Sequence, residues 1–378
     1  MKSRFLILIM MAALSTACSQ AQPPAPSPEE AALRRDIGQM LLVGFRGTQL
    51  DSNSHIVRDI RDYGIGGVIL FEYDAPSGSR PRNITSPEQL RRLCSQLQQY
   101  AGGRLLIGID QEGGMVSRLK TKYGFPAFAS AQQCAAAGDD SVRHYARLTA
   151  QTLHDMGINL DFAPCVDVNV NPQCPVIGKI ERSFSDNPKR VAHCAAIWVD
   201  ELQRLGVTAC LKHFPGHGSS KKDSHLGLAD VSNTWQPVEL EPYRRLIGSS
   251  HDVRMVMTTH VFNARLDSLY PATLSPATLG TLLRDSLHFG GVIITDDLAM
   301  GAMTKQYPFE EILLRAILAG ADMLCLSNNG QVYNPDVVPQ SVDIILNLVR
   351  TGRLSADRIH QSAQRIRAMK RDAFKKKP

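Results

Sequence analysis

Aromatic side chains are scarce in this chain: Phe, Trp and Tyr make up 6% of its 378 residues. No basic run is interleaved with them, so the stacking platform that nucleic-acid binding needs is missing. No apolar run is long enough for a permanent bilayer span; Phe5 to Leu14 reaches about half of the roughly 20 residues required. No Gly-x-Gly-x-x-Gly turn follows the first strand-like run, which weighs against a dinucleotide site. Nor is there an internal repeat of solenoid type. Charge of one sign is not in great excess either. The formal net charge of +6 owes much to the two ends, through Lys2, Arg4 and Lys375-Lys376-Lys377, and implies no particular partner. What is there is an ordinary globular composition, 43% hydrophobic and 21% charged. The chain is long enough to bury one barrel-sized core or two smaller ones.

Residues 1–17 read as an export signal. Lys2 and Arg4 form a charged start, Phe5 to Leu14 the apolar run, and Ser15-Thr16-Ala17 a small-residue cleavage region. Cys18 follows directly, so the segment resembles a bacterial lipoprotein signal, with lipidation expected at Cys18. An acyl anchor lies at a membrane surface and does not span it. The expected location is therefore the bacterial cell envelope, periplasm or cell surface. Residues 18–28, with Pro23, Pro24, Pro26 and Pro28, form a stiff linker. Ser27-Pro28-Glu29-Glu30 has the form of a helix start, with a cap and Pro in the first turn. The catalytic domain is expected over residues 29–372, followed by a basic tail over 373–378.

From there strand-like apolar runs alternate with helix-length segments. The runs are Met40–Phe45, Gly67–Phe71, Leu105–Ile109, Ile158–Val168, Val207–Leu211, Met255–Thr259, Val292–Ile294 and Met323–Leu326. Helical stretches such as Pro87–Tyr100, capped by Ser86, and Asp186–Leu205 lie between them. Strands apolar throughout suit a parallel sheet covered on both faces. Eight such units predict an α/β fold, a single (β/α)8 barrel, with a doubly wound open sheet as the alternative. Of eight cysteines, several lie inside strand runs and read as free buried thiols. Cys165 and Cys174 could pair in an oxidising compartment.

The densest chemistry follows the fifth run, from Lys212-His213-Phe214-Pro215-Gly216-His217-Gly218 to Asp223-Ser224-His225. Pro215, Gly216 and Gly218 exclude a helix and predict a loop. Asp223 and His225, two apart in an extended segment, can share a face. A carboxylate beside an imidazole fixes its tautomer and stabilises its protonated form, as a general acid requires. Two other readings stand beside this one: a merely solvated loop, or a zinc site of His213, His217 and His225.

The spaced elements Lys-His-Phe-Pro-Gly-His-Gly and Asp-Ser-His resemble the signature of glycoside hydrolase family 3, in its bacterial β-N-acetylhexosaminidase branch. Thr295-Asp296-Asp297-Leu298-Ala299-Met300 is similar to the family's nucleophile motif. The resemblance runs from about Ile37 to about Lys370. It implies Asp296 as nucleophile, with Asp297 in support, and His225 with Asp223 as the acid–base pair. It implies Asp110 with Arg118, Lys212 with His213, and Arg182 as substrate-binding residues. Lys179-Ile180-Glu181 lengthen the segment between Ile177-Gly178 and Arg182-Ser183-Phe184. His260 and Asp167 read as supporting residues. The implied activity is a retaining glycosidase without cofactor or metal. It would release terminal β-N-acetylglucosamine from peptidoglycan fragments or chitin-type oligosaccharides. The alternatives are a β-glucosidase of the same fold and an inactive, membrane-tethered sugar-binding barrel. Gly216 and Gly218 suggest a mobile loop that brings His225 in only when substrate binds.

Overall fold

The computed structural model describes residues 27–374. The signal segment, Cys18, most of the linker and the last four residues of the tail lie outside the described residues. Ser27 caps the first helix, α1 (Pro28–Met40), by accepting from the Glu30 N–H at 3.1 Å. Eight strands follow: β1 (Leu41–Gly44), β2 (Gly67–Leu70), β3 (Leu106–Ile109), β4 (Leu160–Asp161), β5 (Thr208–Phe214), β6 (Met255–Thr258), β7 (Val292–Ile294) and β8 (Leu324–Leu326). Apart from Asp161 in β4, Thr208 and the polar end of β5, and Thr258 in β6, their residues are apolar or glycine, as a doubly covered sheet demands. All pairings among them are parallel, in the order β7-β6-β5-β4-β3-β2-β1-β8. The Ile294–Met323 bridge then joins β7 to the start of β8. The sheet is closed, so the open-sheet alternative does not hold.

The main outer helices are α2 (Pro87–Tyr100), α3 (Asp139–Met156), α4 (Pro188–Arg204), α5 (Phe309–Ala319), α6 (Val337–Arg350) and α7 (Ala356–Ala373). In α2 the Ser86 hydroxyl accepts from the Gln89 N–H at 3.2 Å, and Leu90, Leu93, Cys94 and Leu97 bury one stripe. Spacings of three, one and three give that stripe the period of a helix packed on a core. The fourth helix begins at Pro188, capped by Asn187, two residues later than the Asp186 start read from the sequence. Among the described residues, no helix is long and apolar enough to cross a membrane.

Two strands differ from expectation. The fourth shrinks to two residues, because Pro164 has no N–H to continue the ladder; pairing resumes as an isolated bridge, Cys165 to Lys212. The fifth extends through Lys212 and His213 to Phe214, with all seven residues buried. Lys212 and His213 are therefore strand residues, and the loop starts at Pro215. A lysine can stay inside the sheet because Asp110 and Glu112 neutralise it, at 2.8 and 2.6 Å.

The end of the barrel opposite the strand C-termini is sealed by α7. Asp322, wholly buried just before β8, gathers Arg365 at 3.1 Å and Ser362 at 3.0 Å from that helix, and Arg284 from the other side. Asp36 of α1 pairs with His360 and Arg367 of α7, so the first and last helices lock together.

Candidate active site

The strand C-termini surround a cavity of about 470 Å³, within the usual range for small-molecule sites. Its floor is an ionic lattice. Asp110 follows β3 and accepts from Lys212 Nζ at 2.8 Å and from Arg118 Nη2 at 3.3 Å. Burial pushes the Asp110 carboxyl up, but Lys212 and Arg118 outweigh it and hold the group well below the usual carboxylate range. Glu112, two residues on, takes Arg182 in a fork at 2.7 and 2.8 Å and Lys212 at 2.6 Å. Against its burial, these cations bring Glu112 down to about 2. Burial likewise opposes charge on Lys212, and its two carboxylates hold it above the ordinary lysine range.

Arg182 reaches this lattice despite the lengthened segment before it. Gly178–Ile180 forms a short 3-10 turn that ends with Glu181 in a left-handed conformation, φ 58°. The Glu181 carboxylate there accepts from the Ser130 hydroxyl at 2.7 Å. Lys179, Ile180 and Glu181, the residues of the lengthened segment, are absorbed in that turn. Behind Arg182, His213 Nδ1 lies 2.6 Å from Asp167 and its Nε2 lies 3.1 Å from Arg182 Nη2. Arginine can only donate, so Nε2 accepts and the proton sits on Nδ1. Asp167 also accepts from the backbone N–H of His217 at 2.7 Å, which pins the start of the following loop.

That loop folds back over the cavity. At Gly218 a Cβ would come within 1.8 Å of the Val168 carbonyl, so only glycine lets the loop lie against the exit of β4. Gly216 adopts φ 125°, with the Glu239 side chain packed beneath it. Asp223 accepts from the His225 backbone N–H at 2.8 Å and lies 2.7 Å from His225 Nδ1. The segment here is a turn and not extended; the pair meets because one carboxylate oxygen spans both groups of the second residue on. The Gly301 and Ala302 N–H groups donate to the carbonyls of His225 and Ser224, each at 3.2 Å. The loop is docked, and His225 lines the cavity together with Asp296.

Asp296 stands at the exit of β7. Its Oδ1 accepts from the Asp297 N–H at 2.8 Å, and among the described residues its other oxygen has no partner. Burial opposes its ionisation, but the imidazoles of His260, His213 and His225 outweigh it and keep the carboxyl below its ordinary range. Asp297 turns away: it accepts from the Ser327 N–H and hydroxyl at 3.0 and 2.5 Å, tying this loop to that of β8. His260 is wholly buried, with its ring nitrogens on Thr273 and on the Asp297 carbonyl. Asp110, Arg118, Arg182, Lys212, His213, Asp223, His225 and Asp296, the residues implied by the motifs, thus line one cavity. Glu112, at the centre of the lattice, was not among them.

The zinc reading of the loop histidines does not match this arrangement. His217 Nε2 lies 3.1 Å from Ser224, and burial lowers its pKa to about 4, while His225 points to Asp223. Among the described residues, the group with metal-ligand geometry is Cys165, Asp167 and His213, with ligand atoms within 4.8 Å of one another. Those atoms already bond one another, the Cys165 thiol donating to Asp167 at 3.2 Å. Cys165 and Cys174 share a small apolar cluster with both thiols free.

A closed parallel barrel with an unpartnered strand-end carboxylate and an Asp–His pair in one polar cavity has the layout of a glycoside hydrolase. The profile of the glycosyl hydrolase family 3 N-terminal domain matches residues 32–369, and the chain belongs to that family. It is 35% identical over 309 residues to a β-hexosaminidase of Alkalilimnicola ehrlichii, covering 79% of this chain and 82% of that one. A β-hexosaminidase of Actinobacillus pleuropneumoniae is 31% identical over 353 residues, covering 88% of this chain and 97% of its own. Among solved structures, a family 3 β-N-acetylglucosaminidase from Paenibacillus superposes with a TM-score of 0.81 at 35% identity. That match covers 90% of this chain but 62% of the Paenibacillus protein.

Proposed function

We propose that this protein acts as a β-N-acetylhexosaminidase that releases terminal β-N-acetylglucosamine by double displacement. Asp296 is the nucleophile, and His225, oriented by Asp223, is the acid and then the base. The observation that carries this reading is the state of Asp296. It stands at a strand end, its pKa is lowered by the surrounding imidazoles, and among the described residues one carboxylate oxygen is left without a partner in the cavity it shares with the Asp223–His225 pair.

In the first step the free oxygen of Asp296 forms a bond to the anomeric carbon. The glycosidic bond breaks, and His225 gives a proton to the departing oxygen. In the second step water loses a proton to His225 and its oxygen bonds the anomeric carbon, which returns Asp296 as a carboxylate. Asp110, with its charge offset by Lys212 and Arg118, accepts from substrate hydroxyls, and Arg118 donates to them. Arg182 and Lys212 hold Glu112 and Asp110 in place beneath the ring, and His213 braces Arg182. The natural substrates on this reading are peptidoglycan fragments or chitin-type oligosaccharides.

A fluorinated N-acetylglucosaminide that slows the second step should leave one sugar mass on the peptide spanning residues 295–300. Label on another peptide, or an oxazoline product without label, removes Asp296 from the role. Nitrophenyl glucoside turned over faster than nitrophenyl N-acetylglucosaminide makes the enzyme a β-glucosidase. No turnover of either leaves a binding protein.

A further inference from the structure

At the sealed end of the barrel, opposite the catalytic mouth, a second cavity of about 590 Å³ lies between α1, α7 and the segments leading into β2 and β3. Its walls carry five cations, Arg35, Arg104, Arg367, Lys370 and Arg371, against an apolar side that includes Ile65, Leu105 and Phe374. Arg367 pairs with Asp36. Among the described residues Arg35, Arg104 and Arg371 have no carboxylate partner. Lys370 is the unusual member, because it is only 6% exposed and its ammonium finds one neutral acceptor, Gln39 Oε1 at 3.0 Å. Two of its three N–H donors are left over. Burial and the nearby Arg367 lower its pKa to about 7.

A buried lysine is normally paired, because an uncompensated charge away from water is costly. Helix ends offset part of the excess. The C-termini of α1, α2 and α7 converge here, each equivalent to roughly half a negative charge. Together with Asp36 they balance about half of the five cations. An excess of about two and a half positive charges remains around the cavity, with unused donors.

We propose that this cavity is a binding site for a phosphoryl group carrying an apolar substituent. A phosphate ester matches the excess charge and offers several acceptor oxygens to arginine forks and to the spare lysine donors. A lone carboxylate would leave most of them unused. The apolar side accounts for an organic substituent. Such a group occurs both on a phospholipid headgroup and on a soluble phosphate ester.

The test uses the full-length Cys18→Ser chain, so that no acyl anchor contributes, and the same chain with Arg104→Ala and Arg371→Ala. The Tm is followed against inorganic phosphate at constant ionic strength, and co-sedimentation against vesicles of phosphatidylcholine with and without phosphatidylglycerol. Hydrolysis of nitrophenyl N-acetylglucosaminide serves as the control for folding and should not differ between the two. A saturable rise in Tm, weakened on the order of tenfold by the two substitutions, supports the site with a soluble ligand. Vesicle binding that requires phosphatidylglycerol and is weakened likewise supports it with a lipid headgroup. No response to either, or a response that the substitutions leave unchanged, overturns it. Lys370→Met is a second variant: if it folds and binds phosphate or vesicles as tightly as before, the buried lysine has no part in the site.

Discussion

The catalytic assignment turns on His225, and its consequence can be stated for one atom. A general acid matters in proportion to the leaving group's need for a proton, and is typically worth about 10² to 10⁴ in rate. For a sugar leaving group, His225→Ala should cost on the order of that factor in the first step. For a nitrophenolate, which departs as an anion, the first step should suffer far less. The glycosyl-enzyme should then accumulate, visible as a burst, with azide restoring turnover. Equal losses of the burst rate with good and poor leaving groups would sink the role. Single residues were legible where a strand end delivered them directly, as with Asp110 after Ile109 and Asp296 after Thr295. Glu112 was not, although its segment is conspicuous. Nothing in the sequence says that a residue following β3 meets Lys212 at the end of β5 and Arg182 from a loop between. That meeting depends on strand order and on an arginine fork closing across the barrel. Asp167 could be placed only in a supporting role, and its grip on His213 and on the His217 N–H is visible only once the two strand ends are side by side.

Among elements, the loop from Pro215 to Leu226 owes its shape to what lies under it. Glu239 is buried against Gly216, one oxygen accepting from the Gln236 N–H at 3.1 Å and the other without a partner. Burial pushes its pKa up to about 7. Because the folded value lies above the unfolded one, its contribution to stability is complete below about pH 4.5 and is lost as pH rises through 7. Glu239→Gln keeps the acceptor and removes the charge. The variant should melt a few degrees above the parent at pH 8 and differ little at pH 4. Melting curves at the two pH values check this; an equal shift at both would mean that Glu239 titrates alike in the folded and unfolded chain. The eight strands could be read in advance because each is a short apolar run with turn residues at its ends. The end of β5 escaped that reading because Lys212 and His213 look like loop residues until their carboxylate partners are known. The shortening of β4 was signalled only by Pro164.

Across the whole molecule, the barrel was readable as a repeating alternation, whereas its closure was not. The β1–β8 pairing and the clasp of α1 on α7 depend on contacts between distant parts of the chain. The export segment belongs to this scale as well. Lys2, Arg4, the apolar run and Cys18 motivate a tethered enzyme, so Cys18→Ser should move activity from the membrane fraction to the soluble exported fraction. Unchanged fractionation would rule out acylation at that cysteine. The pairing of β1 with β8 joins Leu42 to Cys325, and Asp36 waits for Arg367. Until β8 and α7 have been made, therefore, neither the barrel nor the clasp between its first and last helices can close. Contacts that span nearly the full length make folding slow and late.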